Sequence, residues 1–166
     1  GTPAGAISLM NTDDDNRYIV AANAGTGALE FILKVSPADT ESFPVDIHLH
    51  GYYDEAVGAT NSMAVQVYNF HTAAWEIVST LINAIGDQAF DISLAAQNSA
   101  PGAGAVSTVD YVQGDVLIRF IQNTNEIGST MNIDHLTVGF ASTPLTVQEI
   151  EASTILAKEA TLTTVL

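Results

Sequence analysis

The chain contains no cysteine and only four Lys and Arg residues, against 19 Asp and Glu. The lack of cysteine excludes disulfides, thiol catalysis and thiolate zinc sites. With a net charge of -15, the chain has too few cations to build the basic patch that nucleic acid or an anionic lipid surface requires. No apolar run approaches the roughly 20 residues of a membrane-spanning helix. We therefore expect neither a nucleic-acid partner nor a membrane partner.

The composition suits one domain with a hydrophobic core. Of the 166 residues, 47% are hydrophobic and 14% are charged, and a domain of this length buries roughly 68–70% of its unfolded surface. Because so few residues are charged, the negative charge reflects the scarcity of Lys and Arg. We predict a β-sandwich domain over residues 1–143, followed by a helical segment over residues 144–166.

Short β-rich runs separated by turn-forming residues extend from residue 17 to residue 140, a pattern typical of an antiparallel sandwich or barrel of about eight or nine strands. From Val45 to His50 apolar and polar residues alternate, so one face of that strand is buried. The last run is apolar in both phases, which places it in the centre of a sheet. The predicted strands are Arg17–Asn23, Leu29–Ser36, Val45–Tyr52, Met63–Phe70, Trp75–Leu81, Gln88–Ala95, Thr108–Val112, Val116–Gln122 and Met131–Phe140.

The periodicity changes after Pro144 from about two to about three and a half residues. Thr146 and Glu149 are spaced as a capping box, which predicts the start of an α-helix. Two interpretations of this C-terminal helix remain open: a docking or stalk segment, or an amphipathic helix that packs against the sandwich. In the first, the assembly contacts come from residues at heptad-compatible positions, namely Ile155, Leu162 and Leu166.

Two groups of polar residues are candidates for metal binding. Asp46, His48 and His50 alternate along one strand and therefore point the same way, so they could present one carboxylate and two imidazoles to a metal ion. The alternative is an ordinary solvated strand face. Asp134 lies within an apolar strand and needs a partner there. We expect that partner to be Arg119 rather than a calcium ion.

The aromatic residues Trp75, Tyr52 and Tyr68 are candidates for stacking on the apolar faces of sugar rings. Packing in the core is the alternative role for the same side chains. No nucleophile elbow, phosphate-binding glycine loop or HExxH helix is present in the sequence. We therefore expect no enzymatic activity.

Three segments resemble jelly-roll modules of secreted and viral surface proteins. Residues 65–78 contain a V-x-V-Y-N-x-x-T-x-x-W hairpin, residues 116–120 read V-x-I-R-F, and residues 133–138 read I-D-x-L-x-V. A fourth segment, residues 156–166, is similar to the L-A-x-E-A-T-L-x-x-V-L units of bacteriophage virion proteins, where they lead into helical fibre or stalk segments.

Together these resemblances imply a jelly-roll-like sandwich in a virion structural protein of the capsid decoration, cement, head fibre or tail fibre type. They imply a homotrimer on the virion surface, with capsid or other virion proteins as partners and no cofactor beyond a structural calcium near Asp134. The alternative is an extracellular carbohydrate-binding module of a secreted or viral surface protein, whose partner is a glycan.

Overall fold

A computed structural model describes residues 2–4, 10, 14, 16–37, 42–55, 61–94 and 108–142. These residues form an all-β sandwich of two antiparallel sheets, which confirms the all-β, antiparallel part of the predicted fold. The strands are β1 (Thr2–Ala4), β2 (Tyr18–Ala21), β3 (Glu30–Val35), β4 (Ser42–Asp54), β5 (Ser62–Asn69), β6 (Ala74–Ile82), β7 (Gln88–Ser93), β8 (Val116–Gln122) and β9 (Thr130–Ser142). In the described part of the chain, no helix has the length and apolar character needed to cross a membrane.

The strand order is β1-β2-β9-β4-β7 in the five-stranded sheet and β3-β8-β5-β6 in the four-stranded sheet. Within each sheet the neighbouring strands run antiparallel. Strands β1 and β2 are neighbours in one sheet and β5 and β6 in the other, whereas each remaining connection passes between the sheets. Most sheet contacts therefore join segments that are distant in sequence.

The central pairing joins β4 and β9 along 13-residue strands. This confirms the central position predicted for the last strand. The register shifts between Pro44 and Asp46 and again between His50 and Gly51. At the second shift Gly51 lies against Asn132, and a Cβ atom on Gly51 would lie 2.2 Å from the Asn132 carbonyl oxygen. The chains approach this closely only because residue 51 is a glycine.

Alternating side chains from both sheets form one hydrophobic core. Ile47 and Leu49 of β4 and Ile118 and Phe120 of β8 are almost fully buried, as the alternation in the sequence predicts. The Phe120 ring stacks on Phe31 of the neighbouring strand, with ring centroids 4.9 Å apart. Each such side chain contributes about 1.5–3 kcal/mol through its removal from water, so the core is the main source of stability.

The strand predicted at Thr108–Val112 is wrong. Thr108–Tyr111 forms a 3₁₀ helix, in which the Tyr111 side chain is fully buried and the Asp110 carbonyl oxygen accepts a hydrogen bond from the Phe70 amide at 2.8 Å. The segment therefore closes one end of the sandwich instead of joining a sheet. The predicted helix over 144–166 and the loop at 95–107 lie outside the described residues.

The β5–β6 hairpin forms although its turn contains no glycine. The Asn69 side-chain oxygen accepts hydrogen bonds from the amides of His71, at 2.9 Å, and Thr72, at 3.0 Å. Ala73 adopts a positive φ of 54°, a conformation that is strained for a residue with a Cβ atom. The hydrogen bonds of the Asn69 side chain thus stabilise a turn in which glycine is usually preferred.

Substitution of Gly51 tests the close approach of β4 and β9. We expect Gly51→Ala to lower the free energy of unfolding by about 3 kcal/mol, because the new methyl group meets backbone that has little room to move. Gly25→Ala is the matched control, since its Cβ atom would meet only the Asn23 side chain, at 3.5 Å. Chemical denaturation measures both variants, and equal stability of the two would contradict the packing described for Gly51.

Candidate functional site

The outer face of the four-stranded sheet presents apolar side chains to solvent. Its register places Ile32 of β3, Arg119 of β8, Gln66 of β5 and Ile77 of β6 in one row across the sheet. Ile32 is 52% exposed and Ile77 is 59% exposed, and Ile82 near the end of β6 is 68% exposed. The exposed isoleucines lie on the two edge strands, β3 and β6, with Arg119 and Gln66 between Ile32 and Ile77. These large exposed apolar side chains make the face a candidate contact surface.

Charges on this outer face are balanced, although the chain is strongly acidic. Glu30, Lys34 and Arg119 alternate with its apolar residues, and Asp115 borders the face at the start of β8. Lys34 Nζ lies 2.7 Å from Asp115 Oδ2, and Arg119 Nη1 lies 3.3 Å from Glu30 Oε1. Two of the three described cations thus lie here, and each is paired with an acid.

Trp75 and Tyr68 lie side by side on this outer face, with ring centroids 5.1 Å apart in an edge-to-face arrangement. Arg119 extends over the Trp75 ring, with its Cζ atom 4.5 Å from the ring centroid, and its Nε donates to Gln66 Oε1 at 2.7 Å. One face of the indole is therefore covered by a guanidinium group. A sugar ring that stacked on this face would have to displace Arg119.

Tyr52 belongs to the opposite side of the sandwich. It lies on β4, where its neighbour Tyr53 is fully buried in the core, and Arg17 lies 5.8 Å from the Tyr52 ring centroid. The structure therefore brings Tyr68 and Trp75 together but not Tyr52. The three aromatic residues do not form one platform.

The outer face of the five-stranded sheet carries the histidines and acids of β4. Asp46 and His48 point outward together, as predicted from the alternation. His48 Nδ1 lies 2.6 Å from Asp91 Oδ1 of β7, and His48 Nε2 lies 3.3 Å from Asp46 Oδ1. Asp46 Oδ1 also accepts a hydrogen bond from the Gly139 amide at 3.1 Å. His48 therefore bridges two carboxylates.

These contacts change the titration of His48. The hydrogen bond to Asp91 is the largest effect and raises the pKa of the imidazole above 6.5. Desolvation, the second largest effect, opposes it, and the charges of Asp46 and Asp91 raise the pKa further. Protonation therefore strengthens the contact between β4 and β7 at this point.

His50 faces a different carboxylate. Its Nδ1 lies 3.4 Å from Oδ2 of the fully buried Asp134. Among the described residues, no group donates a hydrogen bond to this Oδ2 atom. Asp134 is the extra residue of β9 at the register shift, between Ile133, which pairs with Gly51, and His135, which pairs with His50. Its other oxygen accepts a long hydrogen bond, 3.4 Å, from the Asp14 amide.

The expected pairing of Asp134 with Arg119 is wrong. Arg119 lies in the four-stranded sheet, where it contacts Gln66 and Glu30. The described groups next to the Asp134 carboxylate are the Asp14 amide and the His50 imidazole. A structural calcium near Asp134 stays a prediction.

The sequence did not single out His135. It lines a groove of about 220 Å³ together with His48, His50 and Asp91. In the described part of the chain, no three or more His, Cys, Asp or Glu side chains are arranged to hold a metal ion. Metal binding by Asp46, His48, His50 and Asp134 stays a prediction.

A partly buried polar cluster around Glu76 at one end of the sandwich was also missed. Tyr111 donates its hydroxyl to Glu76 Oε2 at 2.5 Å, and Asn69 Nδ2 donates to Glu76 Oε1 at 2.8 Å. Burial raises the pKa of the Tyr111 hydroxyl, and the contact with Glu76 adds to the effect. Glu76 and the buried Val78 lie two residues apart on β6, so both side chains are on the inner side of the sheet. This spacing is the sequence feature that could have predicted an inward Glu76.

The predicted assembly contacts Ile155, Leu162 and Leu166 lie outside the described residues. Comparison of the chain with family models, curated proteins and solved structures gave no significant match.

The titration of His48 tests the contacts on the five-stranded sheet. We expect the His48 ring signals to titrate by NMR with a midpoint above pH 6.5, and Asp91→Asn to lower that midpoint. A raised folded-state pKa stabilises the fold below about pH 6.5, and this stability is lost as the pH rises through the folded-state value. Asp54→Asn, farther along β4, is the control. A midpoint that Asp91→Asn left unchanged would show that the contact does not form in solution.

The partly buried Glu76 cluster makes a separate prediction. Tyr111→Phe removes a hydrogen bond to a carboxylate, so we expect the free energy of unfolding to fall by about 1.5–3 kcal/mol. Tyr68→Phe is the matched control, because no hydrogen bond of its hydroxyl occurs among the described residues, and its expected change is within about 0.5 kcal/mol. Urea denaturation gives both values. A Tyr111→Phe protein as stable as the Tyr68→Phe protein would refute this role.

Proposed function

We propose that the chain is a non-enzymatic structural module of a bacteriophage virion, of the capsid decoration or fibre type, which acts on the virion surface through protein contacts. The likeness of residues 156–166 to virion fibre units suggests the particle. The exposed outer face of the four-stranded sheet suggests the mode of action and is the observation that carries the proposal.

We also propose that the sandwich is a jelly roll. The strand order β2-β9-β4-β7 opposite β3-β8-β5-β6, with connections that pass between the sheets, supports this assignment. It agrees with the likeness of residues 65–78, 116–120 and 133–138 to jelly-roll modules.

The composition of the outer face suits a protein partner. Ile77 and Ile82 are exposed on β6, which also carries Trp75, and Arg119 extends over the Trp75 ring. Aromatic residues and arginine are enriched in protein interfaces, whereas the other charged residues are depleted in interface cores. The acids of β4 and β7 are on the opposite face of the sandwich. A partner that docks on the four-stranded sheet therefore avoids the acids of β4 and β7.

Carbohydrate binding is the second candidate, and it rests on the adjacent Tyr68 and Trp75. We rank it lower because Arg119 covers one face of Trp75 and Tyr52 lies on the other sheet. A sugar site here would have one aromatic pair rather than the predicted three residues.

Purified phage particles test the proposal. We expect peptides of this chain in density-gradient fractions of intact particles from the strain that encodes it, after cleavage at acidic residues, because four Lys and Arg give few tryptic peptides. Recombinant chain should bind particles that lack it, and Ile77→Lys/Ile82→Lys should weaken binding at least about tenfold. Ile85→Lys is the control, since Ile85 is 97% exposed in the turn after β6. Absence of the chain from particles would contradict the proposal.

A further inference from the structure

Strand β7 forms an edge of the five-stranded sheet. It pairs with β4 on one side, and no other strand of the described residues pairs with it. The Leu94 amide donates to the Val45 carbonyl at 2.9 Å. In an antiparallel pair the hydrogen-bonded positions alternate along each strand, so Ile92 and Phe90 also bond to β4. The residues that alternate with them are exposed and direct their amide and carbonyl groups to the outer edge, namely Ala89, Asp91 and Ser93.

The β7 edge has few of the features that keep strands from pairing. Natural edge strands are commonly protected by bulges, prolines or lysines. The register between β7 and β4 is continuous, and Gln88–Ser93 contains neither proline nor lysine. The backbone of β7 is therefore a regular template for a further strand.

The side chains on the two sides of β7 define the strand that fits this edge. On the inner side, Phe90 packs against the core but stays partly exposed, next to the buried Ile92. On the outer side, Asp91 has 84% of its side chain exposed, although its Oδ1 contacts His48 Nδ1 at 2.6 Å. Directly opposed side chains on paired strands have Cβ atoms about 4.5–5.5 Å apart. The matching strand therefore has an apolar residue opposite Phe90 and a cationic residue opposite Asp91.

The charge of this edge disfavours a second copy of the chain as the partner. Edge-directed residues pair only with edge-directed residues, so the longest antiparallel pairing of two β7 strands puts Asp91 opposite Asp91. Like charges directly opposite each other are destabilising, and β4 and β7 contain no Lys or Arg to offset the repulsion. A strand that carries positive charge is the better match.

We propose that the β7 edge binds an extended segment of another protein in which basic and apolar residues alternate, and that this segment adds a sixth strand to the five-stranded sheet. Main-chain hydrogen bonds to Ala89, Asp91 and Ser93 hold the segment, and its side chains give the specificity. The inner side chains cover Phe90, and a Lys or Arg on the outer side pairs with Asp91. This edge belongs to the sheet opposite the face proposed to dock on the particle, so either contact can fail without the other.

A synthetic peptide of sequence TVKVKVT, blocked at both ends, tests the proposal on the full chain. We expect the peptide to slow amide hydrogen exchange at Ala89, Asp91 and Ser93, measured by NMR at increasing peptide concentration. The Phe90 and Ile92 amides already bond to β4 and should change little. The matched control is TVEVEVT, which has the same apolar residues and the opposite charge and should not protect the edge. Equal protection by the two peptides, or no protection by TVKVKVT, would overturn the inference.

Variants of the edge separate the contributions of backbone and charge. Ala89→Pro removes an edge-directed amide but no hydrogen bond to β4, so it should weaken TVKVKVT binding at least about tenfold, and circular dichroism checks that the fold is kept. Asp91→Asn should weaken binding about two- to fivefold, as expected for one exposed ion pair. Asp54→Asn, which removes the same charge farther along β4, and Ile77→Lys, on the other sheet, should bind like the wild type. Unchanged binding by Ala89→Pro, or equal binding by Asp91→Asn and Asp54→Asn, would overturn the inference.

Discussion

The scarcity of positive charge governs how this protein can be assembled. Its net charge is -15, and the three cations in the described part of the chain each pair with an acid of another segment. Arg17 joins the chain before β2 to Asp87 before β7, whereas Lys34 and Arg119 join β3 to β8. Exposed ion pairs contribute only about 0–1 kcal/mol each. Their larger effect is on the distribution of negative charge over the surface. The surfaces that stay negative repel other copies of the chain, which limits where copies can meet.

The two faces of the sandwich consequently differ in chemistry. On the five-stranded sheet, acids and histidines lie close together, with His48 held between Asp46 and Asp91. On the four-stranded sheet, exposed isoleucines lie on both edge strands, the charges are paired, and Arg119 contacts Gln66 and Trp75. The first face carries the acids of β4 and β7, whereas the acids of the second face are paired with cations. The proposed virion role uses this difference.

Local alternation was enough to predict strands β2 to β9, because a half-buried strand must alternate apolar and polar residues, but strand β1 (Thr2–Ala4) was not predicted. Alternation does not say which sheet a strand joins, and most connections here pass between the sheets. For that reason the predicted pair of Asp134 and Arg119 proved to lie on different sheets, as did Tyr52 and Trp75. Thr108–Tyr111 was predicted to be a strand because its residues favour β structure. It forms a 3₁₀ helix instead, in which Tyr111 donates a hydrogen bond to Glu76. The groove residue His135 was missed because its pairing with His50 depends on a long-range register.

Particle binding by variants of the two outer faces tests most directly whether the chain docks through its four-stranded sheet. Ile77→Lys, on that sheet, should weaken binding at least about tenfold. Asp91→Asn, on the five-stranded sheet, should bind like the wild type. Equal binding by the two variants would contradict the account, because the particle would then contact another surface.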